Sequence, residues 1–406
     1  MGLVFFVRHG NSSGAFFVFL HAELGSKSLQ PALIRPYNRS QRQSAAGHRA
    51  PRAREEEPVG WQGSIIRCLF AALALGAPFA LAQSPDKNAA VYLYEGGDRS
   101  QRLVERARQE GALVVYTSLA TSESVPLTQA FEKKYGVKVQ LWRSLSDQVV
   151  RRALNEAKAR RHTVDVIETN GPELEALARE RLTARFFSPH IADIPAWGVP
   201  AHRMWISDRV DFFVVAFNTA KVRREELPAT YEGFLDPRWK GRIGLEATDQ
   251  EWLAGLARHW GEKRTVDFFR GLVAMKPDVR KGHVLLSEMV SAGEVPVSLT
   301  NYASNADSMK RREKPIDWKP VEPVIGRPQA IGLAANAPHP NAALLFADFV
   351  LSPEGQQLFN SMGRFPSSRK VKSELVAFPY LMLDPVALID EDEKWLKLWN
   401  ELVTAK

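Results

Sequence analysis

Short apolar runs alternate with helix-like segments through most of the chain from residue 100 onward. The run Ala112 to Tyr116 is uniformly apolar, as in a strand that is buried on both faces of a parallel sheet. Further strands are predicted at Val137 to Leu141 and Thr163 to Ile167, and helices at Ser100 to Gln109, Glu123 to Tyr135 and Ser146 to Arg161. This alternation predicts an α/β fold.

The second half of the chain repeats the alternation, with strands predicted at Asp211 to Phe217, Arg242 to Glu246, Val295 to Leu299 and Ala330 to Ala334. The first and last of these are separated by about a hundred residues of α/β sequence. We therefore predict two lobes joined by two crossing strands. The first lobe takes in about 112–210 plus 330–370, and the second about 219–327 plus 371–406. A cleft between such lobes suits hinge closure on a ligand.

Residues 65–83 carry the pattern of a secretory signal inside the chain. Arg67 precedes a short apolar run, and Ala80-Leu81-Ala82 forms a small-x-small cleavage site before Gln83. We predict a signal peptide at 63–82, a mature protein at 83–406, and an unpatterned extension at 1–62 that is non-native or unstructured. The alternative is a cytoplasmic extension on an uncleaved anchor, but the run is shorter than the ~20 residues that a spanning helix needs.

Composition narrows the class of protein. The chain is formally +8, but its first 82 residues hold nine Lys and Arg against four Glu, which leaves the remainder near +3 without a basic run. No nucleic-acid partner is therefore expected. The single cysteine, Cys68, lies in the signal region, so the mature chain is expected to lack disulfides, zinc-thiolate sites and thiol catalysis.

Five motifs in order give the chain a family resemblance. They are Leu113-Val-Val-Tyr-Thr-Ser118, Phe131-x-x-x-Tyr-Gly-Val-Lys-Val139, Leu235-Asp-Pro-Arg-Trp-Lys-Gly-Arg-Ile243, Ser291-Ala-Gly-Glu-Val-Pro-Val297 and Leu351-Ser-Pro-Glu-Gly-Gln-Gln357. Over Ala112 to Lys370 the chain resembles the bacterial periplasmic solute-binding proteins of ABC importers, in the branch with the ferric-ion-binding proteins. The resemblance implies a type II two-lobe periplasmic binding protein fold and a solute held between the lobes.

The ferric branch implies iron held by two adjacent tyrosines, with a His after the first strand and a Glu after a later one. This chain has Asn301-Tyr302-Ala303, so one tyrosine of the pair is present, and the His and Glu positions fall near Ala120 and Asn170, with Glu168 two residues away. Tyr302 is therefore the candidate metal ligand, because phenolate oxygen suits ferric iron. It could equally stack on, or hydrogen-bond to, an organic solute.

Further ligand contacts are predicted just after the carboxyl ends of strands, where ligands bind in open α/β sheets, and at the helix start that follows one of these strands. The candidate set is Ser118, Asn170, Thr248, Asp249, Trp252 and Tyr302. Thr248 and Glu251 also fit a capping box, with Thr248 as the N-cap. Asp249 would favour a cation, and Trp252 could form an apolar wall. The histidines, including His283 and His339, show no ligand-like spacing and are interpreted as structural or surface residues.

Two classes of function remain open at this point. The first is a periplasmic, monomeric binding protein without a cofactor that delivers iron(III), an iron chelate, or a small organic or anionic solute to an ABC permease in the inner membrane. The second is an exported hydrolase or transferase on a similar two-lobe fold. The sequence after Gln83 shows no nucleophile elbow, metal triad or catalytic carboxylate pair, which favours the binding protein.

Overall fold

The computed structural model describes residues 87–373, 375 and 378–404. The predicted extension at 1–62 and the signal peptide at 63–82 lie outside this part of the chain. Across the described residues, no helix combines the length and the apolarity needed to cross a bilayer.

Helices and strands alternate as the sequence predicts. The helices are α1 (Ala89–Tyr92), α2 (Arg99–Glu110), α3 (Thr121–Tyr135), α4 (Ser146–Lys158), α5 (Gly171–Arg179), α6 (Gln250–Trp260), α7 (Glu262–Ala274), α8 (His283–Ala292), α9 (Ala303–Lys310), α10 (Pro340–Leu351), α11 (Pro353–Ser361), α12 (Pro385–Asp390) and α13 (Asp392–Trp399). The strands are β1 (Ala112–Thr117), β2 (Lys138–Arg143), β3 (Val166–Asn170), β4 (Thr183–Ala184), β5 (Ile206–Asn218), β6 (Ile243–Glu246), β7 (Asp278–Arg280), β8 (Val297–Tyr302), β9 (Ile316–Lys319), β10 (Val324–Ala334), β11 (Phe365–Pro366) and β12 (Tyr380–Met382).

Local sequence explains where the first helices end. Gly111 and Gly136 follow α2 and α3 with φ angles of 76° and 74°, a left-handed conformation that costs glycine little. Leu103 and Ala107 of α2 lie four residues apart and are both buried, as the apolar face of a surface helix should be. The strand between these helices, β1, then enters the sheet.

The main path of the sheet runs β2-β1-β3-β10-β5-β8-β6-β7. The outer strands pair in parallel on each side, β1 with β2 and β3, and β6 with β7 and β8. The central strands β10 and β5 are antiparallel to each other and to their outer neighbours β3 and β8. The two central strands, which run in opposite directions, thus separate two α/β halves whose own strands are parallel.

The two central strands contribute side chains to two separate hydrophobic cores. Ile206 of β5 and Leu333 of β10 belong to the core around β1, β3 and α10, whereas Phe213 of β5 and Ile325 of β10 belong to the core around α6, α7 and β8. Each strand therefore passes from one lobe into the other, and the predicted α/β fold with two crossing strands is confirmed.

The carboxyl-terminal segment contacts both lobes. Trp395 and Trp399 are buried in the second core, while Val386 packs against the first. Arg179 of α5 also forms an ion pair of 2.5 Å with Asp390 of α12. The residues at which the lobes divide stay a prediction, and this segment links the lobes as a third connection.

Candidate functional site

A cavity of about 810 Å³ opens between the two lobes, beside the crossing strands. Its first-lobe wall comes from the ends of β1 and β3 and the starts of α4 and α5, and its second-lobe wall from the residues after β6 and β7 and the end of β8. The crossing strands supply Arg209 and Arg327 to its floor. The carboxyl ends of parallel strands meet here, which is where open α/β sheets bind ligands.

Three helices begin at the first-lobe wall. The residues that precede α3, α4 and α5 are Ala120, Leu145 and Asn170. In the described part of the chain, none of these three residues caps its helix with a side-chain hydrogen bond. Helix N-termini carry partial positive charge and amide hydrogens without helical partners. The acids in their first turns, Glu123, Asp147 and Glu173, lie within 4.0 Å of Arg364, Lys281 and Arg327, so this wall still favours an anion.

Two serine hydroxyls on the same wall each accept a hydrogen bond from a neighbour. Thr169 Oγ1 donates to Ser118 Oγ at 3.1 Å, and Asn170 Nδ2 donates to Ser146 Oγ at 2.8 Å. A hydroxyl that accepts one bond still carries its own hydrogen, so both serines remain able to donate to a ligand. Arg143 lies beside them, and no carboxylate among the described residues comes within 4.0 Å of its guanidinium group.

The three arginines of the cavity floor are, in contrast, paired with acids. Arg364 lies 2.9 Å from Asp211 and 3.1 Å from Glu123, and Arg209 lies 3.2 Å from Asp208. Arg209 also bonds to Glu168, which additionally accepts a hydrogen bond from Thr117. Glu168, the acid closest in sequence to the ferric-branch position, is therefore engaged in a buried ion pair and is 4% exposed.

Arg327 of β10 is the third paired arginine. It donates to the Tyr302 hydroxyl and to Glu251 Oε1, each at 2.6 Å, and it lies 3.6 Å from Glu173. Burial raises the pKa of the Glu251 carboxyl to about 7, although the charge of Arg327 opposes that rise. The group links α6, the second-lobe strand β8 and the crossing strand.

Tyr302 stacks on His283, with 3.7 Å between ring centroids and 10° between ring planes. Burial raises the pKa of the Tyr302 phenol well above its ordinary value, despite the opposing charge of Arg327. Burial lowers the pKa of the His283 imidazole, but the carboxylates of Asp249 and Glu246 outweigh it and leave that pKa above its ordinary value. Tyr302 is thus a neutral phenol that accepts a hydrogen bond from an arginine.

Four of the six predicted site residues line the cavity, namely Ser118, Asn170, Thr248 and Tyr302. Asp249 is 1% exposed and lies against His283, with 3.1 Å between its Oδ1 and the imidazole Nε2. Whether these residues contact a solute stays a prediction.

The prediction that Trp252 forms an apolar wall of the cleft is wrong. Its side chain is fully buried in the second-lobe core, where it meets Tyr231 and Phe269 edge to face at 5.2 and 5.3 Å. The apolar face of α6 turns inward onto this aromatic cluster, so its first-turn tryptophan packs in the core.

The predicted capping box at Thr248 and Glu251 is also wrong. The N-cap of α6 is Asp249, and the Thr248 hydroxyl donates instead to Glu246 at 2.8 Å. Glu251 turns towards Arg327, because a buried guanidinium needs a carboxylate partner more than the helix start needs a cap.

Sequence reasoning missed several residues of the cavity, among them Arg143, Ser146, Glu246, His283 and Arg327. Ser146 follows a strand and a short loop, so the strand-end rule could have found it. His283 follows β7 in the same way, but a strand of three residues leaves little signal. Arg327 lies in the middle of a crossing strand, where no local pattern marks it.

Comparison with known proteins agrees with this architecture. Residues 164–393 match the family described as bacterial extracellular solute-binding protein. Iron uptake protein A1 of Synechocystis sp. is 26% identical over 264 residues, which cover 60% of this chain and 71% of that protein.

Two solved structures share the fold. Iron-bound HitA from Pseudomonas aeruginosa aligns with a TM-score of 0.63 and 22% identity, covering 72% of this chain and 99% of that one. The periplasmic binding protein AfuA from Actinobacillus pleuropneumoniae, with fructose-6-phosphate bound, aligns with a TM-score of 0.65 and 21% identity, covering 73% and 100%.

The chain has the two-lobe fold of type II periplasmic binding proteins, with a cleft between the lobes. The chain belongs to the bacterial extracellular solute-binding protein family. The predicted resemblance to periplasmic solute-binding proteins, with iron proteins among the relatives, is confirmed. The alternative of a hydrolase or transferase finds no support in these relatives.

Proposed function

We propose that this protein is the periplasmic binding component of an ABC importer and that its solute is a small organic anion. The observation that carries the anionic character is the first-lobe wall, where three helix starts without side-chain caps, two serine hydroxyls and Arg143 line one cavity. Phosphate and carboxylate groups fit such a set of donors. The protein would release its solute unchanged to an inner-membrane permease, as a monomer without a cofactor.

A ferric chelate is the second candidate, because Iron uptake protein A1 and iron-bound HitA are named for iron. A chelate such as ferric citrate is itself anionic and would meet the same wall. Direct coordination of bare ferric iron by Tyr302 is disfavoured, since burial keeps the pKa of its phenol high and Arg327 donates to its oxygen at 2.6 Å. Iron binds the phenolate form, whereas this hydroxyl keeps its proton and its oxygen is occupied by the arginine donor.

The proposal is tested by calorimetry with matched solutes. Fructose-6-phosphate is compared with fructose, ferric citrate with citrate, and ferric iron is offered with a weak chelator. We expect only anionic members to bind. Ser146→Ala should weaken their binding by about 1 kcal/mol, the value of one hydrogen bond.

Ser361→Ala, on an exposed face of α11, is the matched control and should bind as the unaltered protein does. Binding of bare ferric iron without any response to the anions would contradict the proposal. Equal affinity for fructose-6-phosphate and uncharged fructose would contradict it as well.

A further inference from the structure

A second cluster of polar side chains lies at the second-lobe wall of the cleft. Glu246, Asp249 and His283 each place one ligand atom so that these atoms lie within 4.8 Å of one another. The three residues come from the end of β6, the start of α6 and the start of α8. None of them belongs to the serine-lined wall described above.

The carboxylate of Asp249 is buried at the start of α6, with His283 as its nearest charged partner. Asp249 is 1% exposed, and neither of its oxygens accepts a hydrogen bond from any described residue. The imidazole Nε2 of His283 lies 3.1 Å from Oδ1, but it too makes no hydrogen bond within the described chain. His283 supplies a positive charge beside this carboxylate, but its oxygens still lack hydrogen bonds, and a metal ion that displaced the imidazole proton would satisfy both groups.

The other two members of the cluster are held in place by their neighbours. Glu246 accepts hydrogen bonds from the Gly282 amide and the Thr248 hydroxyl, both at 2.8 Å. Gly282 has φ 109°, a conformation that a residue with a side chain rarely adopts, so the amide depends on glycine being there. The stacked Tyr302 ring fixes the plane of His283. Metal ligands are commonly oriented by such outer contacts.

An ion can reach the cluster from the cleft, because Glu246 and His283 line the cavity while Asp249 lies behind them. The positive charge of Arg327 acts on His283 but is offset by Glu251, 2.6 Å from the guanidinium group. Once the imidazole has released its proton to a metal, two carboxylates and the neutral ring carry a charge of −2, which balances a divalent cation. One nitrogen and two oxygen ligands suit zinc and similar transition metals.

We propose that Glu246, Asp249 and His283 form a binding site for a divalent transition-metal cation in the second-lobe wall of the cleft. Three protein ligands leave at least one coordination position open, and the cavity lies on that side. The site does not depend on the proposal that the solute is an organic anion.

The test uses zinc as the probe. Untagged protein is stripped with a chelator and titrated with zinc by calorimetry, and we expect one equivalent to bind. Asp249→Asn and His283→Gln should each lower the affinity by at least about tenfold. His339→Gln is the matched control, because His339 and Asp165 form another histidine and aspartate pair, at 2.9 Å, outside the cluster. That variant should bind zinc as the unaltered protein does.

Zinc-edge X-ray absorption on the unaltered protein gives a second readout that does not require a variant to fold. The spectrum should show one imidazole with oxygen ligands. The proposal is overturned if zinc does not bind, if the bound zinc has no imidazole ligand, or if folded Asp249 and His283 variants keep full affinity. Equal loss in the His339 control would overturn it too.

Discussion

Glu175 on α5 is a buried carboxylate with three donors around it. His202 Nε2, Trp205 Nε1 and Arg179 Nε lie 2.8, 3.0 and 3.0 Å from its oxygens. Burial opposes ionisation, but these donors outweigh it and lower the pKa of the Glu175 carboxyl to about 2. The ionised form is therefore bound more tightly in the folded chain than in the unfolded one.

A pH dependence of stability follows. Glu175 stabilises the fold fully above its unfolded pKa of about 4.5, and this contribution is lost as the pH falls towards 2. We expect Glu175→Gln to lower the free energy of unfolding at pH 7 by about 2 kcal/mol, and the difference to shrink below pH 4.5. Urea titrations across pH measure it. Glu180→Gln, at an exposed residue at the end of the same helix, is the control. If Glu175→Gln lowered the free energy of unfolding equally at every pH, the lowered pKa of Glu175 would not be the cause.

Tyr302 allows the two candidate kinds of solute to be separated. Tyr302→Phe removes the hydroxyl that accepts from Arg327 but keeps the ring that stacks on His283. For an organic anion we expect calorimetry to show a loss of about 1 kcal/mol in binding free energy, since at most one hydrogen bond changes. For iron held by the phenolate, binding would be lost.

The exposed Tyr380 supplies the control variant Tyr380→Phe, which should bind as before. Tyr302→Ala removes the ring as well and should weaken binding further. Unchanged solute affinity in both Tyr302 variants would show that Tyr302 is not part of the binding site.

At the scale of elements, the strand-end rule explains which site residues could be predicted. Ser118 follows β1, which contains the apolar run Ala112 to Tyr116, and Asn170 ends β3, which begins with the buried apolar pair Val166 and Ile167. Arg327 could not be predicted in the same way, because its partners Tyr302 and Glu251 lie 25 and 76 residues away and only the fold joins them. Side-chain pairing across crossing strands leaves no periodic trace in the sequence.

Trp252 shows the complementary error. An aromatic residue in the first turn of α6 can face either the cleft or the core, and the packing of the helix on its neighbours decides between them. We expect Trp252→Ala to destabilise the protein by about 3–5 kcal/mol, because it leaves a cavity in a buried aromatic cluster. Thermal unfolding measures this.

Solute affinity, measured well below the melting temperature of the variant, should not change. Leu396→Ala, at a residue that is 41% exposed, should alter stability by less than about 0.5 kcal/mol. If the Trp252→Ala protein were stable but bound solute more weakly, Trp252 would have to contact the solute in the cleft.

At the scale of the whole molecule, the two crossing strands are the paired connection about which the lobes can move, and the carboxyl-terminal segment is a third link between them. β5 and β10 pair with each other over residues 206–212 and 326–331, with a register shift between Gln329 and Ala330. Such an irregularity weakens the ladder locally and suits bending. Closure would bring the first-lobe wall onto a solute that also contacts the second lobe.

Asp147 and Lys281 mark where the lobes meet at the cleft mouth. Asp147, in the first turn of α4, and Lys281, after β7, form an ion pair of 2.9 Å while remaining 37% and 49% exposed. An exposed pair contributes less than about 1 kcal/mol, so it can favour the closed form without locking it. Hydrogen bonds from the charged Lys281 lower the pKa of the Asp147 carboxyl, although burial opposes this.

We therefore expect small-angle scattering to show a smaller radius of gyration with a saturating anionic solute, such as fructose-6-phosphate, than with the matched uncharged sugar, fructose. Lys281→Gln should weaken solute binding by less than about tenfold, because only the exposed pair is lost, and the liganded radius should still fall. Lys263→Gln removes a comparable exposed pair, to Asp267, inside the second lobe and serves as the control. An unchanged radius of gyration under saturating solute would contradict closure. Identical solute affinity in the Lys281 and Lys263 variants would show that the ion pair at the cleft mouth does not contribute to solute binding.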